Sequence, residues 1–95
     1  MKTYETMIKQ MVEQLNEIEY DIENNSKEKE LIEEDLFYIT NKAINAKDSF
    51  KLNYFKRKDP ELLKEIKEDY AYKMLDQLSD CIARCAYLKC IIFMH

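Results

Sequence analysis

The chain has 95 residues, a net charge of −4, 46% hydrophobic residues, no glycine and one proline. That length is enough for one small domain with a modest core. Without glycine there is no glycine-rich loop to hold a phosphate, and no Asn-Gly or Asp-Gly pair to form a tight β-hairpin. The composition therefore predicts a single all-α domain spanning residues 1–95, with helices joined by short polar links.

The first predicted helix covers residues 3–23 and carries an acidic surface. Residues 1–25 sum to −4, whereas residues 26–59 sum to +1 and residues 60–95 to −1. The apolar residues recur at alternating steps of four and three, which is typical of a coiled coil or a helical bundle. This seam consists of Tyr4, Ile8, Met11, Leu15, Ile18 and Ile22.

A turn is predicted at residues 24–26, where Asn25 and Glu28 have the spacing of a capping box. The heptad frame does not shift across this segment, so one continuous helix through it is the alternative. The second predicted helix covers residues 26–56, and a polar stretch within it leaves room for an interruption with Asp48 as a new cap. Its seam consists of Ile32, Leu36, Ile39, Ala43, Ala46 and Phe50.

The second helix is also apolar on the side opposite its seam, where Phe37, Ile44 and Phe55 stand. A helix that is apolar on two sides must be covered on two sides. Either it lies between the other two helices, or it also contacts a second chain.

The third predicted helix covers residues 60–94, with Asp59 as N-cap and Pro60 at the first helical position. The expected architecture is an antiparallel bundle of three long helices with coiled-coil-like packing. Because helix 3 is predicted to be longer than helix 1, its apolar end lacks a neighbour within the chain. The predicted seam consists of Leu63, Ile66, Tyr70, Met74, Leu78, Cys81, Cys85, Leu88 and Ile92.

The sequence offers little to an enzyme or a cofactor. The only histidine is His95, so neither a Ser-His-Asp nor a Cys-His arrangement has an ordered base. We interpret Cys81 and Cys85 as small core residues; the alternative is a cysteine-based metal or redox site. Three cysteines within ten residues of one helix do not form a disulfide framework and indicate a reducing compartment. With no signal-peptide pattern and no apolar run of membrane length, we expect a cytoplasmic protein without a membrane partner.

A basic segment follows the second seam, with five basic residues and one acidic residue between positions 47 and 58. Lys51, Lys56, Arg57 and Lys58 are mixed there with aromatic residues, a combination that can bind phosphates and stack bases. Cations near a helix C-terminus are also favoured by the helix dipole. Nucleic-acid binding through this segment is therefore an alternative function.

The function that the pattern favours is a non-enzymatic protein–protein interaction module that forms a homodimer. Small acidic helical proteins of this kind are common among phage and mobile-element accessory factors, which suggests binding and inhibition of a host protein. The predicted interface consists of Phe37, Ile44, Phe55, Ile91, Ile92 and Phe93.

Overall fold

The computed structural model describes residues 2–94, which form three long helices and one short helix. The helices are α1 (Lys2–Asn24), α2 (Lys29–Phe50), α3 (Pro60–Glu65) and α4 (Glu68–Met94). A π-helical segment, Lys51–Lys56, continues α2 without a gap. No strand occurs between residues 2 and 94, so the predicted all-α class is confirmed.

The long helices pack side by side in a rod of 46 × 18 × 18 Å. The hydroxyl groups of Tyr4, at the start of α1, and Ser49, at the end of α2, lie 3.1 Å apart. Tyr70, at the start of α4, donates a 2.6 Å hydrogen bond to Glu5 of α1. Hence α2 runs antiparallel to both α1 and α4, and the predicted antiparallel bundle is confirmed.

The core follows the seams predicted for α1 and α2. From α1 the buried residues are Ile8, Met11, Leu15 and Ile18, and from α2 they are Ile32, Leu36, Ile39, Ala43, Ala46 and Phe50. Tyr4 and Ile22, at the two ends of the first seam, are partly buried and pack against this core. Burying a large apolar side chain is worth roughly 1.5–3 kcal/mol, so these seams hold the helices together.

The turn between α1 and α2 is confirmed, but the predicted capping box is wrong. Asn25 has a left-handed backbone, with φ of 49°, and so ends α1 instead of starting α2. The Ser26 N–H donates to the Asp21 carbonyl oxygen at 3.1 Å, the bond that closes a Schellman motif. Glu28 precedes α2 without a side-chain cap, and α2 begins at Lys29, not at residue 26. Asp48 does not interrupt α2.

The third predicted helix is not continuous. Asp59 caps α3 as expected, accepting a 3.0 Å hydrogen bond from the Glu61 N–H. The chain then becomes extended at Ile66, with φ of −123° and ψ of 125°, before α4 begins at Glu68. No proline or glycine stands at this break, which is why the sequence pattern runs through it.

The break changes the start of the seam of the last helix, whereas the predicted core positions from Met74 to Ile92 are confirmed. Leu63 and Tyr70, which the predicted seam included, are exposed, while Ala71 is completely buried. From there the core positions of α4 recur at regular steps of three and four: Ala71, Met74, Leu78, Cys81, Cys85, Leu88 and Ile92. The extended residue therefore turns α4 so that the small Ala71, rather than the bulky Tyr70, faces the neighbouring helices.

Candidate interaction surface

The two predicted core cysteines lie inside the bundle. Cys81 and Cys85 are buried on the inner side of α4, and Cys90 is exposed. Burial raises the pKa of both inner thiols; for Cys85 the Thr40 hydroxyl and Arg84 act in the opposite direction. The prediction that Cys81 and Cys85 pack in the core is confirmed.

A metal or redox role would need these thiols as thiolates, which burial disfavours. No group of three or more His, Cys, Asp or Glu residues that could hold a metal ion occurs between residues 2 and 94. His95 lies outside the described residues.

The basic segment exposes its cations but buries most of its aromatic surface. Lys51, Lys56, Arg57 and Lys58 are all exposed around the π-helical segment and the turn that follows it. Of the aromatic residues between them, Tyr54 is buried in the core and Phe55 is partly buried against it.

Those aromatic rings form a cluster at one end of the bundle. Phe50 and Tyr54 are buried with their rings stacked 5.6 Å apart. Phe55 is partly buried and lies 5.3 Å from the ring of Tyr72. Stacking of bases needs exposed aromatic faces. The rings of Phe50 and Tyr54 are therefore not available for it, and Phe55 packs in the cluster rather than at a free interface.

Ile92, predicted at the interface, is instead a core residue with 3% of its surface exposed. Because α4 begins only at Glu68, its end does not project past α1 as the longer predicted helix would. Ile92 instead lines a small cavity with Ile22 of α1 and Ile32 of α2. Ile91 is partly buried on the other side, where it lines a groove with Ile22. Ile91 and Ile92 therefore do not form an exposed surface together with Phe93.

The remaining predicted interface residues, Phe37, Ile44 and Phe93, lie on one side of the bundle. Phe93 sits beside the start of α2, with the Lys29 ammonium 5.8 Å from its ring centre. Phe37 and Ile44 are seven residues apart, two helical turns, and both are exposed. The exposed fraction is 65% for Phe37 and 74% for Phe93.

Two residues of α4 that the sequence reasoning missed extend this surface. Leu75 and Ile82 are partly buried against the core. They precede Phe93 by 18 and 11 residues, whole numbers of helical turns, and so lie on the same side of α4. We define the α2–α4 face as Phe37, Ile44, Leu75, Ile82 and Phe93.

The other side of the bundle is held by polar contacts instead. Arg84 of α4 donates 2.7 Å hydrogen bonds to Asn16 and Glu19 of α1. Near the α1–α2 turn, Lys27 donates to Asp35 at 2.6 Å, and this hydrogen bond raises the pKa of Lys27. Polar contacts thus join α1 to its neighbours, whereas the α2–α4 face presents apolar side chains.

None of the helices within residues 2–94 is long and apolar enough to cross a membrane. Comparison of the chain with protein-family models, curated proteins and solved structures gave no match.

Proposed function

We propose that the chain is a non-enzymatic protein-interaction module, and that its α2–α4 face binds a second copy of the chain. The observation that supports this proposal is the exposure of Phe37 and Phe93 beside a core that is closed without them. Every seam position of α2 and α4 is already buried within one chain. The face is therefore additional to what the fold of one chain needs.

The energetic cost of leaving this face in water favours a partner. Covering a large apolar side chain gains roughly 1.5–3 kcal/mol, and Phe37, Ile44 and Phe93 are all exposed. Contiguous exposed apolar surface usually marks an interaction site. A two-fold homodimer is the commonest way in which one protein covers such a surface, since each copy supplies the same patch.

Nucleic-acid binding is the second candidate, favoured by the exposed cations Lys51, Lys56, Arg57 and Lys58. Binding through cations without base stacking would be sequence-independent and would weaken steeply with salt. A gel shift that disappears with salt and in Lys56→Glu with Arg57→Glu would support this candidate. We rank it second because Phe50 and Tyr54, which would supply the stacking, are buried in the core.

The oligomeric state tests the proposed function directly. Light scattering of the wild-type protein over a concentration series should give the mass of two chains, twice 11.5 kDa. Phe37→Asp with Phe93→Asp should give the mass of one chain, because the changed residues place carboxylates in the face. Circular dichroism should show that the variant remains helical.

A matched control is available on the rest of the surface. Tyr20 and Tyr87 are exposed to 62% and 61%, similar to Phe37, and neither belongs to the α2–α4 face. Tyr20→Asp with Tyr87→Asp should therefore remain a dimer. A wild-type mass of one chain throughout the series would refute the proposal, and dissociation of the control alone would show that a different surface is used.

A further inference from the structure

Along the exposed side of α2, the order of residue types is complementary to the same order read in the reverse direction. Glu30, Phe37, Ile44 and Lys51, the first residue of the π-helical segment that continues α2, follow one another at steps of seven residues and so form a single line along the helix. In chain order this line is acidic, apolar, apolar and basic. All four side chains are exposed.

The charged residues around this line are also divided, with acidic residues near its start and basic residues near its end. Residues 28–35 contain five acidic residues and one basic residue, whereas residues 42–58 contain one acidic and six basic residues. Two ion pairs of the described chain join Lys27 to Asp35 and Arg84 to Glu19. Neither of these pairs includes Glu30 or Lys51.

From this order we infer that two copies of the chain pair with their α2 helices antiparallel, about a two-fold axis beside Asn41. This inference rests on the proposed function. Reversing one helix about that axis places Phe37 of each copy against Ile44 of its partner. It also places Glu30 of each copy against Lys51 of its partner, so the pairing gains two apolar and two ionic contacts.

A second pair of residues fits the same two-fold operation to within one residue. Glu33 and Lys47 each lie seven residues from Thr40, whose hydroxyl is next to Cys85, so both are on the α4 side of α2. Antiparallel pairing about this axis brings Glu33 of one copy to within one residue, about 1.5 Å along the helix, of the level of Lys47 of the other.

Parallel pairing of α2 on α2 is opposed by the same charges. It would place Glu30 against Glu30 and Lys51 against Lys51 of the partner. Like charges across an interface are unfavourable and exclude the wrong register or orientation. The separated charges of α2 therefore select the antiparallel orientation.

Cysteine cross-linking distinguishes the two orientations. The background variant is Cys90→Ser, because Cys90 is the exposed thiol while Cys81 and Cys85 are buried. In the antiparallel dimer, residue 41 of one chain lies beside residue 41 of the partner across the two-fold axis. Asn41→Cys should therefore form a disulfide-linked dimer under mild oxidation. Lys51→Cys should not, because the two introduced thiols would be separated by 21 residues of helix, about 31 Å. A mixture of Glu30→Cys and Lys51→Cys chains should cross-link to each other.

Charge reversal gives an independent measurement. Glu30→Lys should weaken the dimer about tenfold, because each copy then sets a lysine against Lys51 of its partner. Adding Lys51→Glu to the same chain should restore the wild-type affinity, since both contacts are opposite in charge again. Sedimentation equilibrium measures all three dissociation constants.

The results separate this inference from the proposed function. A dimer in which Lys51→Cys cross-links to itself, or in which Asn41→Cys does not, overturns the antiparallel arrangement and leaves the interaction module intact. A double charge variant as weak as Glu30→Lys alone overturns it as well. A protein with the mass of one chain overturns both.

Discussion

The hydroxyl of Tyr54 donates a 3.2 Å hydrogen bond to the carbonyl oxygen of Ile66. Tyr54 lies in the π-helical segment, and Ile66 is the extended residue between α3 and α4. Both residues are buried. This single contact ties the end of the second long helix to the point at which the last helix is turned, and so supports the seam that begins at Ala71.

Tyr54→Phe should destabilise the protein by about 1–3 kcal/mol, because it leaves the buried Ile66 carbonyl oxygen without this hydrogen bond. Urea unfolding followed by circular dichroism measures the loss. Tyr87→Phe removes a hydroxyl from an exposed ring and should change the free energy of unfolding by less than about 0.5 kcal/mol. Equal effects of the two variants would show that the Tyr54 contact contributes nothing to stability.

The neighbouring residues Ile92 and Phe93 should respond in opposite ways to the same change. Ile92→Asp places a carboxylate among core side chains and should cost more than about 3 kcal/mol, or prevent folding altogether. Phe93→Asp affects an exposed ring and should leave the stability of one chain nearly unchanged. Thermal unfolding at low protein concentration, where association does not contribute, compares the two. A stable Ile92→Asp chain would mean that the end of α4 is not packed as described.

The three thiols should react at two different rates. A thiol reagent should modify Cys90 rapidly in the folded protein, because that residue is exposed. Cys81 and Cys85 should react only when the chain unfolds, since burial both shields them and raises the pKa of their thiols. The absorbance change of the thiol reagent, measured under native conditions and in urea, gives the number of modified thiols. Rapid modification of all three without urea would contradict the buried positions.

The free energy of unfolding should fall as the pH rises above about 9. Burial raises the pKa of the Cys81 and Cys85 thiols above their usual 9.0, so the folded chain keeps protons that the unfolded chain releases. Stability from this source is complete below pH 9 and is lost as the pH approaches the raised pKa values. Urea unfolding at a series of pH values measures the slope.

Cys81→Ala with Cys85→Ala is the control for this slope. The variant should be less stable overall through lost packing, but its stability should depend less on pH between 9 and 10. Tyr70 acts in the same direction at higher pH, because its hydrogen bond to Glu5 raises its pKa from 10.0. An unchanged slope in the cysteine variant would assign the pH dependence to other groups.

Helical periodicity predicted most of the fold. The steps of three and four in the first two seams predict the buried residues of α1 and α2 correctly, because burying those side chains is the main gain in free energy for each helix. The N-cap at Asp59 was equally predictable, since Asp-Pro is a local signal that needs no tertiary contact. The exposed positions Phe37, Ile44 and Phe93 follow from the same periodicity.

The candidate surface was predictable only in part. The positions of Phe37 and Ile44 depend on one helix, and the sequence places them together. Leu75 and Ile82 share the surface only because α4 packs beside α2 with a particular rotation. Ile92 was assigned to the surface wrongly for a different reason: its seam position was predicted correctly, but α4 does not project past α1, so Ile92 has neighbours within the chain.

By itself, the sequence determined that this protein is helical, where its first two seams lie, and that α2 carries apolar residues outside its seam. The tertiary structure alone decided that the last helix breaks at Ile66 and that Ala71, not Tyr70, enters the core. A helix of this composition has no local reason to stop there, because no proline or glycine interrupts it. The break is stabilised by contacts with distant residues, namely the Tyr54 hydrogen bond and the burial of Ile66, and such contacts exist only once the helices have packed.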